Sequence, residues 1–89
     1  MPKVKLFANL RRIAGAREIE ARGATVREAL EAICRQNDAL CAAILVDGGE
    51  PRPQVRIMVN GRAVELGLGL DTPVAPHDEI AIFPPIGGG

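Results

Sequence analysis

Eighty-nine residues, eleven basic and eleven acidic, with 47% apolar and 25% charged side chains, describe one small globular domain. A chain of this size buries roughly 60–65% of its unfolded surface, enough for one core and too little for an enclosed active site. A formal charge of zero and two Phe with neither Tyr nor Trp argue against nucleic acid, which asks for a basic surface or a base-stacking platform.

Residues 3–8, KVKLFA, alternate Lys3, Lys5 and Phe7 against Val4, Leu6 and Ala8, the period-two pattern of a half-buried strand. Phe7 falls on the otherwise polar face. LRRIAGA, residues 10–16, reads as a connector turning at Gly15, and REIEA, residues 17–21, as a second strand antiparallel to the first. Thr25 and Glu28 form a capping box, T-x-x-E, in which each side chain satisfies an amide left open at a helix start. Behind it Val26, Ala29, Leu30, Ile33 and Cys34 make one apolar stripe, predicting a helix that runs to about Gln36 and stops at Asn37-Asp38. Ala39 to Val46 reads as a second short helical piece, and DGGEPRP, residues 47–53, as an exposed loop.

VRIMVNGRAVEL, residues 55–66, predicts a hairpin turning at Asn60-Gly61. A loop follows in which glycine separates Leu66, Leu68 and Leu70; burial is the expected fate of these leucines, with an extended apolar face as the alternative. EIAIFP, residues 79–84, is the last strand, ended by Pro84-Pro85 because proline donates nothing to a ladder. The order β-β-α-β-β-β, with one main helix across one face of a mixed sheet, is α+β and matches the β-grasp architecture of ubiquitin. The predicted organisation is a domain over residues 1–84 and a flexible tail over residues 85–89.

Charge is unevenly spread: residues 1–27 carry seven basic and two acidic groups, residues 28–89 four and nine. Such a gradient can orient a docking event. MPKVKLFANLRR lacks the unbroken apolar run of a secretory signal, and no stretch approaches the ~20 apolar residues of a membrane span, so the expected location is the cytoplasm. Cys34 and Cys41 are seven positions apart, about 10 Å of rise on one continuous helix and beyond the ~7 Å Cα limit of a disulfide. Two small buried hydrophobes in a reducing compartment are therefore expected, an argument that weakens if the helix breaks between them.

Convergent catalytic groups are not evident. The one histidine, His77, sits in the polar loop PHDE and reads as a solvated side chain; Cys34 lies on the apolar stripe, away from any base. Neither a metal-binding H-E-x-x-H or C-x-x-C nor a P-loop occurs, so no cofactor or metal is expected on the chain itself. The tail, IGGG after Pro84-Pro85, is where chemistry is expected. Extended glycine can thread a channel that any side chain would block, which brings the Gly89 carboxylate to a partner's active site, with Gly88 and Gly87 as the threading residues. The two prolines hold the exit extended, and from Pro84 to Gly89 the chain reaches about 17 Å. An ionised carboxylate is a poor electrophile and must first be activated, for example by adenylation with ATP, which a partner must supply.

V-x-x-FA-x-L-R-x-x-AG at 4–15, T-V-R-E-A-L at 25–30, VNG-R at 59–62, L-D-T-P at 70–73 and D-E-I-A-I-FPP-I-G-GG at 78–89 together resemble the MoaD/ThiS sulfur carriers, most closely the small subunits of molybdopterin synthase. The resemblance implies a noncatalytic cosubstrate. An E1-like adenylyltransferase adenylates Gly89 using ATP, and sulfur from a donor protein's persulfide displaces AMP to leave a thiocarboxylate. The tail then enters the large subunit of molybdopterin synthase, within a heterotetramer, where the dithiolene is built on a cyclic pyranopterin monophosphate. It further implies partner contacts at Phe7, Arg11, Phe83, Pro84 and Pro85. For Phe7 and Phe83 core packing remains the alternative, and for Arg11 a solvated side chain. Three other functions use the same features: a carrier for thiamine, cysteine or tRNA thiolation, a ubiquitin-like modifier of lysines, and a β-grasp interaction module with an inert tail.

Overall fold

In the computed structural model, which describes residues 1–84, the first and last strands lie side by side at the centre of a five-stranded sheet. The strands are β1 (Lys3–Leu6), β2 (Glu18–Glu20), β3 (Arg56–Val59), β4 (Arg62–Ala63) and β5 (Glu79–Phe83), in the order β2-β1-β5-β3-β4. β1 and β5 are parallel, with Val4 beside Ile80 and Leu6 beside Ile82; the other pairings are antiparallel. Among the described residues three α-helices accompany the sheet: α1 (Asn9–Ala14), α2 (Val26–Gln36) and α3 (Asp38–Ile44). Val26, Ala29, Leu30, Ala32 and Ile33 of α2 are buried in one core with Val4, Leu6, Ile80 and Ile82 of the central strands. The expected α+β, β-grasp architecture is present. The tail predicted over residues 85–89 lies outside the described residues.

α2 begins where its capping box predicts. The Glu28 amide donates to Thr25 Oγ1 at 3.2 Å, and Glu28 Oε1 accepts from the Ala24 amide at 2.8 Å, one residue before the cap. Gly23 leaves room for this turn, since a Cβ there would stand 2.7 Å from the Ala29 nitrogen.

Three expectations are corrected. Residues 10–16 are not a simple connector: α1 occupies Asn9–Ala14 and ends at Gly15, whose φ of 73° is left-handed. Its six residues are too few to show a helical period, and Leu10 alone is buried. The second hairpin strand is also shorter than predicted. Asn60 (φ 50°) and Gly61 (φ 84°) both have the positive φ of a type I′ turn, but after Ala63 the chain leaves the ladder in a 3-10 turn over Val64–Leu66. That turn buries Val64, and a second one over Gly69–Asp71 buries Leu70, while Leu66 and Leu68 remain 76% and 68% exposed. Burial of all three leucines was expected; only Leu70 is inside.

The third correction concerns the cysteines. Asn37, in extended conformation, breaks the helix: its Oδ1 accepts from the Leu40 amide at 3.0 Å and so starts α3. The break folds α3 back on α2, brings the Cys34 and Cys41 Cα atoms to 4.7 Å, and the two are joined in a disulfide. The continuous-helix distance does not apply, and the pair is not two independent buried thiols.

The hairpin turn is tied to the start of β5 through Asp78. Asp78 accepts from the Ala75 amide at 2.7 Å and from Asn60 Nδ2 at 3.0 Å, and Asn60 Oδ1 accepts from the Glu79 amide at 2.9 Å. The Ala75 bond first, and then the Asn60 bond, hold the Asp78 carboxyl below the ordinary aspartate pKa. A folded-state pKa below the unfolded value contributes stability above the unfolded pKa and loses it as pH falls through the folded pKa. Wild type should therefore melt above Asp78→Asn at pH 7, hold that margin down to about pH 5, and lose it in stronger acid. Parallel melting curves across pH check this, because the other carboxylates are common to both proteins. A margin that persists unchanged into strong acid would overturn it.

Candidate functional site

The strand alternation that buries Val4, Leu6, Ile80 and Ile82 turns Lys3, Lys5, Glu79, Ala81 and Phe83 to the opposite face of the sheet. Phe7 follows β1 directly and joins that face. Its ring stacks on Phe83, with centroids 4.2 Å apart and planes 13° from parallel. Both rings are half-buried, so each packs on the protein and still presents surface. The stack adds about 0.5–1.5 kcal/mol beyond area burial.

The chain behind Phe7 explains the ring's placement. Ala8 has φ 53° and ψ −131°, and the Leu10 amide donates to the Phe7 carbonyl at 3.1 Å, so the chain reverses immediately after the ring. This reversal launches α1 and brings Arg11 back over the strand end. Arg11 Nε donates to the Leu6 carbonyl at 2.8 Å, and its guanidinium carbon lies 5.2 Å from the Phe7 centroid. Arg11 is thus held in place, not freely solvated.

Met58 and Ala81 face each other across β3 and β5, extending the apolar surface, and Arg56 lies beside Phe83. Lys5 pairs with Glu79 at 3.2 Å and Arg56 with Glu65 at 3.6 Å; the latter links this edge to the turn that exposes Leu66. A shallow cleft of about 290 Å³ beside Phe7 is lined by Lys5, Arg11, Arg17 and Glu18. Three cations to one carboxylate give the aromatic pair a positive border, the local form of the charge gradient along the chain. Met58 was open to discovery from strand alternation with Arg56, whereas the Ala8 turn had no sequence signal, since glycine is the usual residue at such φ.

Of the predicted partner-binding residues, Phe7, Arg11 and Phe83 are brought together. Pro84 is buried, and β5 ends at Phe83, so the chain leaves the sheet from the aromatic pair itself. Pro85 and the predicted tail residues Gly87, Gly88 and Gly89 lie outside the described residues. His77 stands in solvent, with its side chain 86% exposed and its Nε2 3.6 Å from Asp78 Oδ1. Among the described residues no group of three or more His, Cys, Asp or Glu is placed to hold a metal, and no helix is long and apolar enough to cross a membrane.

Residues 4–89 match the ThiS family model. The chain belongs to the ThiS family. Small archaeal modifier protein 1 of Haloferax volcanii is 38% identical over 88 residues, spanning 96% of this chain and 97% of that one. A protein of Archaeoglobus fulgidus, provisionally named a sulfur carrier protein, is 36% identical over 87 residues, 98% of this chain and 97% of its own. Among solved structures, small archaeal modifier protein 1 from Methanosarcina acetivorans superposes with a TM-score of 0.89 at 36% identity, covering 98% of this chain and 94% of that chain. A Pyrococcus furiosus protein, provisionally described as molybdopterin converting factor subunit 1, gives 0.71 at 34% identity, covering 94% and 95%. The protein is a ThiS/MoaD-type, ubiquitin-like small carrier or modifier, a class of noncatalytic proteins on which partner enzymes act.

Proposed function

We propose that this ThiS-family protein is the sulfur-carrying small subunit of molybdopterin synthase. The observation that carries the reading is the Phe7–Phe83 stack, flanked by a fixed Arg11, at the point where the chain leaves the sheet toward Gly89. A docking platform at the root of a glycine tail lets a partner grip the domain and receive the terminal carboxylate in one geometry.

The chemistry at that carboxylate proceeds in the partners. An E1-like adenylyltransferase joins it to the AMP moiety of ATP with loss of pyrophosphate, turning a poor electrophile into an acyl adenylate. A donor protein's persulfide displaces AMP, and thiol cleavage of the resulting sulfur–sulfur bond leaves a thiocarboxylate on Gly89. The large synthase subunit then accepts the tail and transfers the sulfur to the pterin, returning the carboxylate for another cycle. Since the cycle consumes ATP, the cytoplasm is its setting. The relationship to the Pyrococcus converting-factor subunit supports the molybdopterin branch.

A second reading is favoured by the 38% identity to a small archaeal modifier protein: the same activated carboxyl would pass to a lysine amine instead. One experiment separates the two. With the E1-like enzyme, ATP and a sulfur donor, the intact mass should rise by the difference between sulfur and oxygen, and adding the large subunit with its pterin substrate should restore the original mass while molybdopterin forms. A thiolated protein that is not discharged by the large subunit, but becomes joined to lysines of other proteins, would replace the first reading by the second. No mass change at all would remove both.

A further inference from the structure

The helical side of the molecule holds an open groove of about 790 Å³ between α2, α3 and the loop after α3, and the Cys34–Cys41 disulfide forms part of its wall. We propose that this disulfide is a thiol-exchange site, opened in the native protein by an external dithiol entering the groove.

Access comes first. Both cysteines are half-buried, packed at the border of the core, and line the groove with the surface they retain. Three guanidinium groups and three carboxylates share the groove wall, a balance that admits a neutral dithiol without repelling it. The elements that the bond joins are also anchored separately. α2 is held by its capping box and by Leu30 and Ile33; α3 is held by the Asn37 cap and by buried Leu40 and Ile44. Cleavage therefore leaves each helix with its own attachment to the core. What it releases is the fold-back at Asn37.

Cys34 and Cys41 each lie in the last turn of their own helix, so the helix carbonyls favour neither sulfur as leaving thiolate, and the exchange is written for attack at Cys34. The external thiolate attacks Cys34 Sγ and forms a new sulfur–sulfur bond. The Cys34–Cys41 bond breaks, and its electron pair goes to Cys41 Sγ, which is protonated from water. The second thiol of the dithiol then attacks its own sulfur in the mixed disulfide and expels Cys34 as thiolate. The protein gains two electrons and two protons, and the dithiol becomes a disulfide. None of this involves Gly89 or the outer sheet face, so the proposal stands or falls independently of the carrier reading.

The test uses the full oxidised chain with dithiothreitol in one arm and reduced thioredoxin in the other, quenched with iodoacetamide and weighed. Two alkylated thiols should appear at a rate that doubles with dithiol concentration and exceeds global unfolding measured on the same sample. Reaction in the thioredoxin arm assigns the site to a protein dithiol; reaction with dithiothreitol alone assigns it to a small one. Hydrogen exchange on the reduced protein should show lost protection at the Asn37 and Cys41 amides, which bond on either side of the break at Asn37, with the sheet still protected. Reduction that occurs only as fast as the protein unfolds would overturn the proposal. So would a double variant, Cys34→Ser with Cys41→Ser, that fails to fold, because the bond would then be a structural staple.

Discussion

Deletion of Gly89 should abolish thiocarboxylate formation and leave the melting transition unchanged. The deletion moves the terminal carboxylate by about 3.4 Å, one residue of extended chain. Since a misplacement of even ~1 Å can cost a hundredfold in rate, adenylation of the shortened tail should fall below detection. Gly88→Val should fail too, for a different reason: its β-branched side chain meets the wall of a channel shaped for bare backbone. Gly87→Ala should be tolerated, because it adds a single methyl group two residues back from the reacting carboxylate. All three changes lie beyond Phe83, the last residue of β5, so circular dichroism melts should superimpose on wild type. Intact-mass measurement after incubation with the E1-like enzyme, ATP and a sulfur donor reads each outcome. If Gly88→Val were thiolated as fast as wild type, the threading argument would be wrong and the interaction-module reading would take its place.

The parts of this protein that were legible in its sequence are those in which a local rule and the global fold agree. Thr25 and Glu28 mark the start of α2, the stripe from Val26 to Ile33 marks its buried face, and both hold in the structure because the capping bonds and the core demand the same register. Asn60-Gly61 likewise places a turn whose backbone only such residues adopt easily. The features that were missed depend on tertiary context. α1 is a single short helix fixed by the reversal at Ala8, where alanine occupies a conformation suited to glycine, so no residue type announces it. β4 stops after Ala63 because Val64 is drawn into the core, a competition that strand propensity does not register. The Cys34–Cys41 bond turns on whether Asn37 continues or breaks a helix, and that decision is shared with Ile13, whose carbonyl accepts from Asn37 Nδ2 at 3.4 Å.

The proposed docking face shows the same division. Phe7 was recognisable as the one aromatic on a polar strand face, and Phe83 by its place before the prolines. Their mutual stacking follows from the parallel pairing of β1 with β5, which sets the first and last strands side by side, and Arg11 closes over Phe7 through the reversal at Ala8. Leu66 and Leu68 carried no comparable mark: apolar residues separated by glycine suit a buried turn as well as an exposed one, and here the two 3-10 turns bury only Val64 and Leu70.

Leu30→Ala and Phe7→Ala should separate the core from the proposed docking face by opposite effects. Leu30 is only 3% exposed, at the centre of the α2 stripe, and its truncation should cost about 2–5 kcal/mol. At about 0.05–0.15 kcal/mol per residue, a chain of this length has a total stability of roughly 5–13 kcal/mol, so that loss is a large share of it. Phe7 is half-buried, and its removal from the fold forfeits mainly the stack on Phe83. Denaturant titration should therefore show a large fall in midpoint for Leu30→Ala, with unchanged slope, and a small one for Phe7→Ala. Binding to the E1-like enzyme should rank them the other way. Phe7→Ala should weaken the complex at least about tenfold, as loss of a buried aromatic anchor does, while the folded fraction of Leu30→Ala binds like wild type. A stability loss below about 1 kcal/mol for Leu30→Ala would mean that the α2 face is wrongly assigned. If Phe7→Ala instead collapsed the fold while its remaining folded fraction bound normally, Phe7 would be a core residue, and the aromatic stack would hold the strand ends together without receiving a partner.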